Sequence, residues 1–201
     1  MPETRQYTVY KFSELSEDAK EKVLERYRDW NVSDEYWYEH FNDFLKEDLK
    51  EFGLLFDSFS FSGFFSQGDG ASIRYSISDT FKFIRHLMPD KKDSKLINRL
   101  EEWAVDGIDH DRETQRRRDF YYYDDYCAVE FNLYGANQPL PRLSDFVERL
   151  NKASTEFHKD LCRKLYRDLQ REYDYQTSDT TLTEYFIQSD YVFTQEGVVD
   201  R

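Results

Sequence analysis

The chain has 201 residues, of which 39% are hydrophobic, 34% charged and 18% aromatic, a composition that excludes a disordered chain and is long enough to bury a core. Its net charge of −13, from 28 Lys and Arg against 41 Asp and Glu, opposes direct binding to nucleic-acid phosphates and favours a basic protein partner. No apolar run approaches membrane-spanning length and the start "MPETRQYTVYKF" has no signal core, so no membrane is expected and a cytoplasmic location is.

Residues 7–12, "YTVYKF", read as a short first strand. "SEDAKEKVLERYRDW" follows with helical spacing: Ser16 is a good N-cap, and Ala19, Val23, Leu24, Tyr27 and Trp30 share one side. "NVS" interrupts the pattern and Ser33 is placed to cap a second helix, whose apolar positions are Trp37, Phe41, Phe44, Leu45, Leu49 and Phe52. Gly53 is a natural stop. The period then changes. Phe59 and Phe61 alternate with serines, and Ile73, Tyr75 and Ile77 alternate after a glycine-rich stretch. Residues 54–78 therefore read as two antiparallel strands joined by a loop too long for a two-residue turn.

"SDTFKFIRHLMP" reads as a short helix stopped at Pro89. "SKLINRLEEWAVDG" reads as another, capped at Ser94 and stopped at Gly107. "IDHDRETQRRRD" has no apolar period and reads as an exposed connection, and "FYYYDDYCAVEFNLYG" returns to strand alternation. "NQPLPRL" is a loop. The longest helix then runs from Ser144 to about Tyr173, with a stripe of Phe146, Leu150, Ala153, Phe157, Leu161, Leu165 and Leu169. Asp160 and Lys164 form an expected i,i+4 pair. A last helix is capped at Ser178, and "YVFTQEG" ends the chain as a strand or extended tail. The irregular order predicts a single α+β domain over 1–201: a small antiparallel sheet packed with several helices, including a long one in the C-terminal half.

Catalytic chemistry finds no footing in these residues. No histidine sits in an HExxH, none is expected to join a Cys or His as a metal ligand, and no nucleophile elbow or P-loop occurs. His40 and His86 fall in helical patterns and read as structural, and His110 as part of an exposed polar loop. "QGDGAS" has a single acid, too few oxygen ligands for calcium. Cys127 and Cys162 are far apart without CxxC spacing and read as buried free thiols. Arg116 to Arg118 precede aromatic residues, as in a nucleic-acid stacking surface, but Asp111, Glu113, Asp119, Asp124 and Asp125 cancel their field. The chain is expected to be a non-enzyme without cofactor or metal.

Three segments carry a resemblance: "YKFSELSEDAKEKVLERYRDWNVSDEYWYEHFNDFLKEDLKEFGL", "FSFSGFFSQGDGASI" and "LTEYFIQSDYVFTQEG". Together they resemble a family of small acidic proteins encoded by bacteriophages and mobile elements, with an "FSGFxSQGDGASF" loop, mostly of unknown function and some labelled antitoxin-like. Trp37 and Tyr38 stand at the family's aromatic pair, and "SQGDGAS" is intact at Ser66 to Ser72. Phe65 and Ile73 stand where the loop often has Trp or Ser and Phe. No catalytic residue is carried over.

The resemblance and the charge together point to an inhibitor of a host defence protein or nuclease complex, of the anti-CRISPR kind, that offers carboxylates where a basic channel expects phosphates. Asp34, Glu35, Glu39, Asp43, Glu47 and Asp48 are its expected protein-binding face, and Gln67, Asp69 and Ser72 its expected loop contacts. An antitoxin-like, toxin-binding protein is the second reading. A nucleotide or small-molecule binder is the third, in which backbone N–H groups of the glycine loop hold an anion.

Overall fold

A computed structural model of the chain describes residues 8–103, 108–110, 131–133 and 141–200. In chain order its elements are β1 (Tyr10–Lys11), a 3-10 turn (Phe12–Glu14), α1 (Glu17–Arg26), a second 3-10 turn (Trp30–Val32) and α2 (Tyr36–Glu51). Then come β2 (Leu54–Phe61), β3 (Ala71–Ile77), α3 (Thr80–Leu87), α4 (Lys91–Trp103), β4 (Ile108–His110) and β5 (Phe131–Leu133). The chain continues through α5 (Pro141–Gln176), α6 (Asp179–Gln188), β6 (Val192–Phe193) and β7 (Val199–Asp200). The fold is α+β, with small antiparallel sheets and a long helix in the C-terminal half. The chain splits into two compact units, Met1–Glu39 with Leu169–Arg201, and His40–Asp168.

The first unit joins the two ends of the chain. β6 pairs with both β1 and β7, with Tyr10 opposite Phe193 and Phe193 opposite Val199. Strands this short would not persist alone; aromatic burial beneath them supplies the stability. Phe12, Leu15, Ala19, Val23, Leu182, Phe186 and Phe193 form one core cluster. Phe186 stacks on Phe12 at 5.7 Å and meets Phe193 edge-on at 5.4 Å. Two polar contacts pin the tail: Arg26 donates to the Gly197 carbonyl at 2.9 Å, and the Val199 N–H donates to the Tyr27 hydroxyl at 2.9 Å. Gly197 has φ +73, and a Cβ there would lie 3.0 Å from Val23, so only glycine closes the β6–β7 turn without strain. Ser16 and Ser178 cap α1 and α6 by accepting from Ala19 and Thr181 N–H groups, as the sequence predicts.

The second unit is built on the β2–β3 hairpin. Its register is Leu54 opposite Ile77 through Phe61 opposite Ala71, with a bulge between Phe56 and Ser58. Gly53 (φ +80) leaves α2 in the left-handed region, and its carbonyl accepts from Ser78 at 2.9 Å and Asp79 at 3.0 Å. Asp79 in turn caps α3 by accepting from Lys82 N–H at 2.9 Å. Phe83 packs against Phe131 and Phe157 at 6.2 and 5.3 Å. Asn151 of α5 extends β5 as a strand would: it accepts from the Phe131 N–H at 2.8 Å and donates to its carbonyl at 3.1 Å.

Several boundaries differ from the sequence expectation. The first strand is confined to Tyr10–Lys11 because Phe12 turns inward as a buried core residue; Tyr7 lies outside the described residues. α1 ends at Arg26, and Trp30 packs from the 3-10 turn instead. Ser33 does not cap α2: its hydroxyl donates back to the Trp30 carbonyl at 2.9 Å, and Asp34 accepts the Tyr36 N–H at 3.0 Å. Phe44 is 60% exposed rather than in the core stripe. α4 starts at Lys91, placing Ser94 within its first turn, where the hydroxyl donates to the Asp90 carbonyl. Residues 108–110 are strand, paired with β5, where the sequence reads as a connection. Of the predicted strand over 120–135, Phe131–Leu133 is described; Gly107, Cys127 and the Arg116–Arg118 run lie outside the described residues. α5 begins at Pro141, where a proline suits the first helical position because no N–H bond is needed there. Asp160 pairs with Arg163 at 3.4 Å, while Lys164 lies between Asp48 at 3.8 Å and Asp168 at 3.4 Å, so the expected Asp160–Lys164 pair is replaced by nearer competitors.

Candidate functional site

The glycine loop between β2 and β3 is organised by one carboxylate. Asp69 Oδ2 accepts the Phe65 N–H at 2.9 Å and the Ser66 N–H at 2.6 Å, and Oδ1 accepts the Ser62 hydroxyl at 3.1 Å. Ser62 closes the neck, its N–H donating to Gly70 O at 3.2 Å and its hydroxyl accepting the Gly70 N–H at 3.3 Å. Gly63 (φ +110) and Gly68 (φ +91) supply the left-handed turns this requires. Two amides of the loop, Phe65 and Ser66 N–H, are thus already engaged by Asp69. Phe64 stacks on Phe61 at 5.6 Å and lies 5.5 Å from Tyr166 of α5, leaving Phe65 78% exposed at the loop surface. Burial, and secondarily the Asp69 charge, push the Tyr166 phenol up. Of the expected loop contacts, Gln67 is exposed, Asp69 is half-buried and turned into the loop, and Ser72 is buried in β3 opposite Ser60. The structure therefore does not gather these three on one surface.

The six expected protein-binding acids are all exposed. In the first unit, Asp34 receives the Tyr36 N–H, and Glu35 with Glu39 flanks Tyr38, whose phenol is pushed up by burial and then by those charges. In the second, Asp43 and Glu47 lie one turn apart on α2, next to Asp48. Asp43 meets Lys46 at 3.2 Å and Asp48 meets Lys164 at 3.8 Å; among the described residues the other four have no cation within salt-bridge reach. The charge is unevenly shared by sequence. The first unit holds 17 acidic and 8 basic residues, net −9; the second holds 24 and 20, net −4.

A groove of about 720 Å³ opens on the first unit. It is lined by six aromatic residues, Trp30, Tyr36, Trp37, Tyr175, Tyr185 and Tyr191, by the acids Asp34 and Glu184, and by neutral polar side chains. Tyr36 is 75% and Tyr175 59% exposed. Sequence reasoning placed Asp34 and Trp37 but not the groove, because its walls come from segments more than a hundred residues apart.

Inside the second unit, the α5 line facing the core is Ser154, His158 and Cys162 rather than Ala153, Phe157 and Leu161, which flank it half-buried. His158 Nδ1 lies 3.3 Å from the Tyr75 hydroxyl and its Nε2 3.6 Å from the Cys162 sulfur. Burial pushes the His158 imidazole down to about 4 and the Cys162 thiol up to about 11, the latter against a smaller effect of a hydrogen bond from the Ile73 backbone. A nucleophilic Cys–His pair needs the opposite shifts and an accessible sulfur, so this cluster is a buried polar contact between α5 and β3. Cys162 is the buried free thiol that the sequence suggests. Among the described residues no group of three or more His, Cys, Asp or Glu could hold a metal ion, and no helix is long and apolar enough to cross a membrane.

Residues 36–179 match a family model described as "Domain of unknown function (DUF8835)". The chain belongs to this family. Neither the curated proteins nor the solved structures contain a match to it. The DUF8835 span takes in the whole second unit, with the glycine loop and the Tyr75–His158–Cys162 contact. It ends at Asp179, the first residue of α6, so the segments "KFSELSEDAKEK" and "LTEYFIQSDYVFTQEG", which pair as the two ends of the first unit, lie outside it.

Proposed function

We propose that this DUF8835 protein is an acidic binding protein that docks on the basic, nucleic-acid-binding surface of another protein and inhibits it. It is encoded by a phage or mobile element, acts in the cytoplasm of the host bacterium, and targets a host defence complex in the anti-CRISPR manner. The observation that carries this reading is the exposed acid set of Asp34, Glu35, Glu39, Asp43, Glu47 and Asp48, of which only Asp43 and Asp48 meet a cation among the described residues. Such carboxylates attract a basic groove and compete there with phosphates, an effect that weakens with added salt. The anion-binding alternative for the glycine loop is disfavoured by Asp69, which takes the Phe65 and Ser66 N–H groups and adds a negative charge there. The test is competition: purified protein is added to a guide-loaded host nuclease complex, and binding to labelled target DNA is followed. Displacement that is lost in a Glu35→Gln, Glu39→Gln, Glu47→Gln variant is expected. Full DNA binding at saturating wild-type protein, with no protection of phage in cells, would overturn the proposal. Rescue from a toxin encoded beside the gene would favour the antitoxin reading instead.

A further inference from the structure

We propose that the aromatic groove of the first unit receives an arginine side chain from an extended basic segment of a partner protein. The inference takes the class of partner from the reading above and adds where, and by what chemistry, that partner is gripped. Three observations converge. Six aromatic side chains line it beside neutral polar ones, with Trp30 and Tyr191 nearly perpendicular at 5.2 Å and Tyr36 and Tyr175 exposed to solvent. Its charged members are Asp34 and Glu184, and no lysine or arginine lines it among the described residues. The unit around it carries net −9, more than two thirds of the protein's charge.

Aromatic faces attract a cation through the ring quadrupole, and a flanking carboxylate adds a charge-assisted hydrogen bond. Guanidinium suits such a site better than ammonium because it is planar, weakly hydrated and presents a fork of donors to a carboxylate. A nucleic-acid base would find rings to stack on, but its phosphates would meet only negative charge. Charge complementarity therefore selects a basic peptide segment over a nucleic acid. Asp34 is engaged at the start of α2 by Tyr36 N–H, which leaves Glu184 on α6 as the acid positioned for the guanidinium.

The test uses a short glycine–serine peptide carrying two arginines, and its counterpart with citrulline, which keeps the shape and removes the charge. Binding is read by the change in tryptophan fluorescence, to which Trp30 and Trp37 in the groove respond and Trp103 adds a constant background, at about 0.15 M salt, where exposed charges alone are screened. Saturable binding of the arginine peptide is expected. Affinity should fall about tenfold with citrulline, and about tenfold in the Tyr36→Ala, Tyr175→Ala variant. Both tyrosines are largely exposed, so this variant should fold, and circular dichroism verifies that. Glu184→Gln should weaken binding several-fold, whereas Glu21→Gln with Glu25→Gln, outside the groove, should change it less than twofold. Equal binding of the citrulline peptide, equal binding by the tyrosine variant, or a signal that follows self-association of the protein would overturn the inference. Failure of this proposal is distinct from failure of the one above: a tyrosine variant that still competes with DNA removes the groove and leaves the inhibitor. A wild-type protein that binds the peptide and never competes with DNA does the reverse.

Discussion

Replacing Asp69 with alanine removes the acceptor for two backbone N–H groups and one hydroxyl at once. A hydrogen bond to a charged acceptor contributes about 1.5–3 kcal/mol net when buried. This loop is exposed at Phe65, Ser66 and Gln67, so water recovers much of each bond in the variant. The expected cost is therefore about 2 kcal/mol in all, not the sum of three buried bonds. Asp69→Asn keeps one carbonyl oxygen and should cost roughly half of that. Because the chain has two compact units, a global unfolding curve need not be two-state. Amide hydrogen exchange at Phe65 and Ser66 is the direct assay: Asp69→Ala should accelerate both by at least an order of magnitude, while amides of α1 and α6 stay unchanged. Unchanged exchange at Phe65 and Ser66 would refute the view that Asp69 organises the loop. It would also reopen Asp69 as a contact residue, since a substitution that unravels the loop cannot by itself report on binding.

Three further outcomes follow from the geometry. His158 is held neutral in the fold, its proton affinity lowered from 6.5 to about 4, so the unfolded chain binds more protons between those values and stability should fall as pH drops from 6.5 to 4, by about 3 kcal/mol at the acid end. Urea midpoints across that range should show this fall in the wild type and a shallower one in His158→Gln; identical slopes would count against it. Phe186→Ala empties a site 1% exposed between Phe12 and Phe193 and should cost about 4 kcal/mol, read as loss of near-ultraviolet circular dichroism and thermal stability of the first unit. Arg149 grips buried Asp93 through two bonds of 3.0 and 2.7 Å, so Arg149→Ala should cost about 2 kcal/mol, and Arg149→Lys should recover only part, because an ammonium cannot reproduce the fork.

Local chemistry was legible wherever a residue's role depends on its neighbours in sequence. Ser16 and Ser178 cap the helices they precede, Gly53 ends α2, and the Phe–Ser alternation of "FSFS" marks β2, because capping, left-handed turns and strand period are set within a few residues. The α+β class and the long helix followed from the same periodicities. Other features depended on what lay across the fold. Ser33 looked like a cap from its type, but Asp34 does the work because the 3-10 turn claims the serine hydroxyl. Phe157 and Leu161 looked like the core line of α5 from hydropathy, yet Ser154, His158 and Cys162 occupy it, since Tyr75 on β3 offers a hydroxyl that a sequence window never meets. The aromatic groove is the sharpest case. Tyr36 and Tyr175 carry no signal in the chain and adjoin one groove where Arg28, Asp29 and Asn31 bond to Thr177, Tyr173 and Gln176, far away in sequence. Composition alone determined that the protein is acidic and aromatic; tertiary structure decided that the surplus charge and an open aromatic wall belong to the same unit, because contacts distant in sequence carry no local signature.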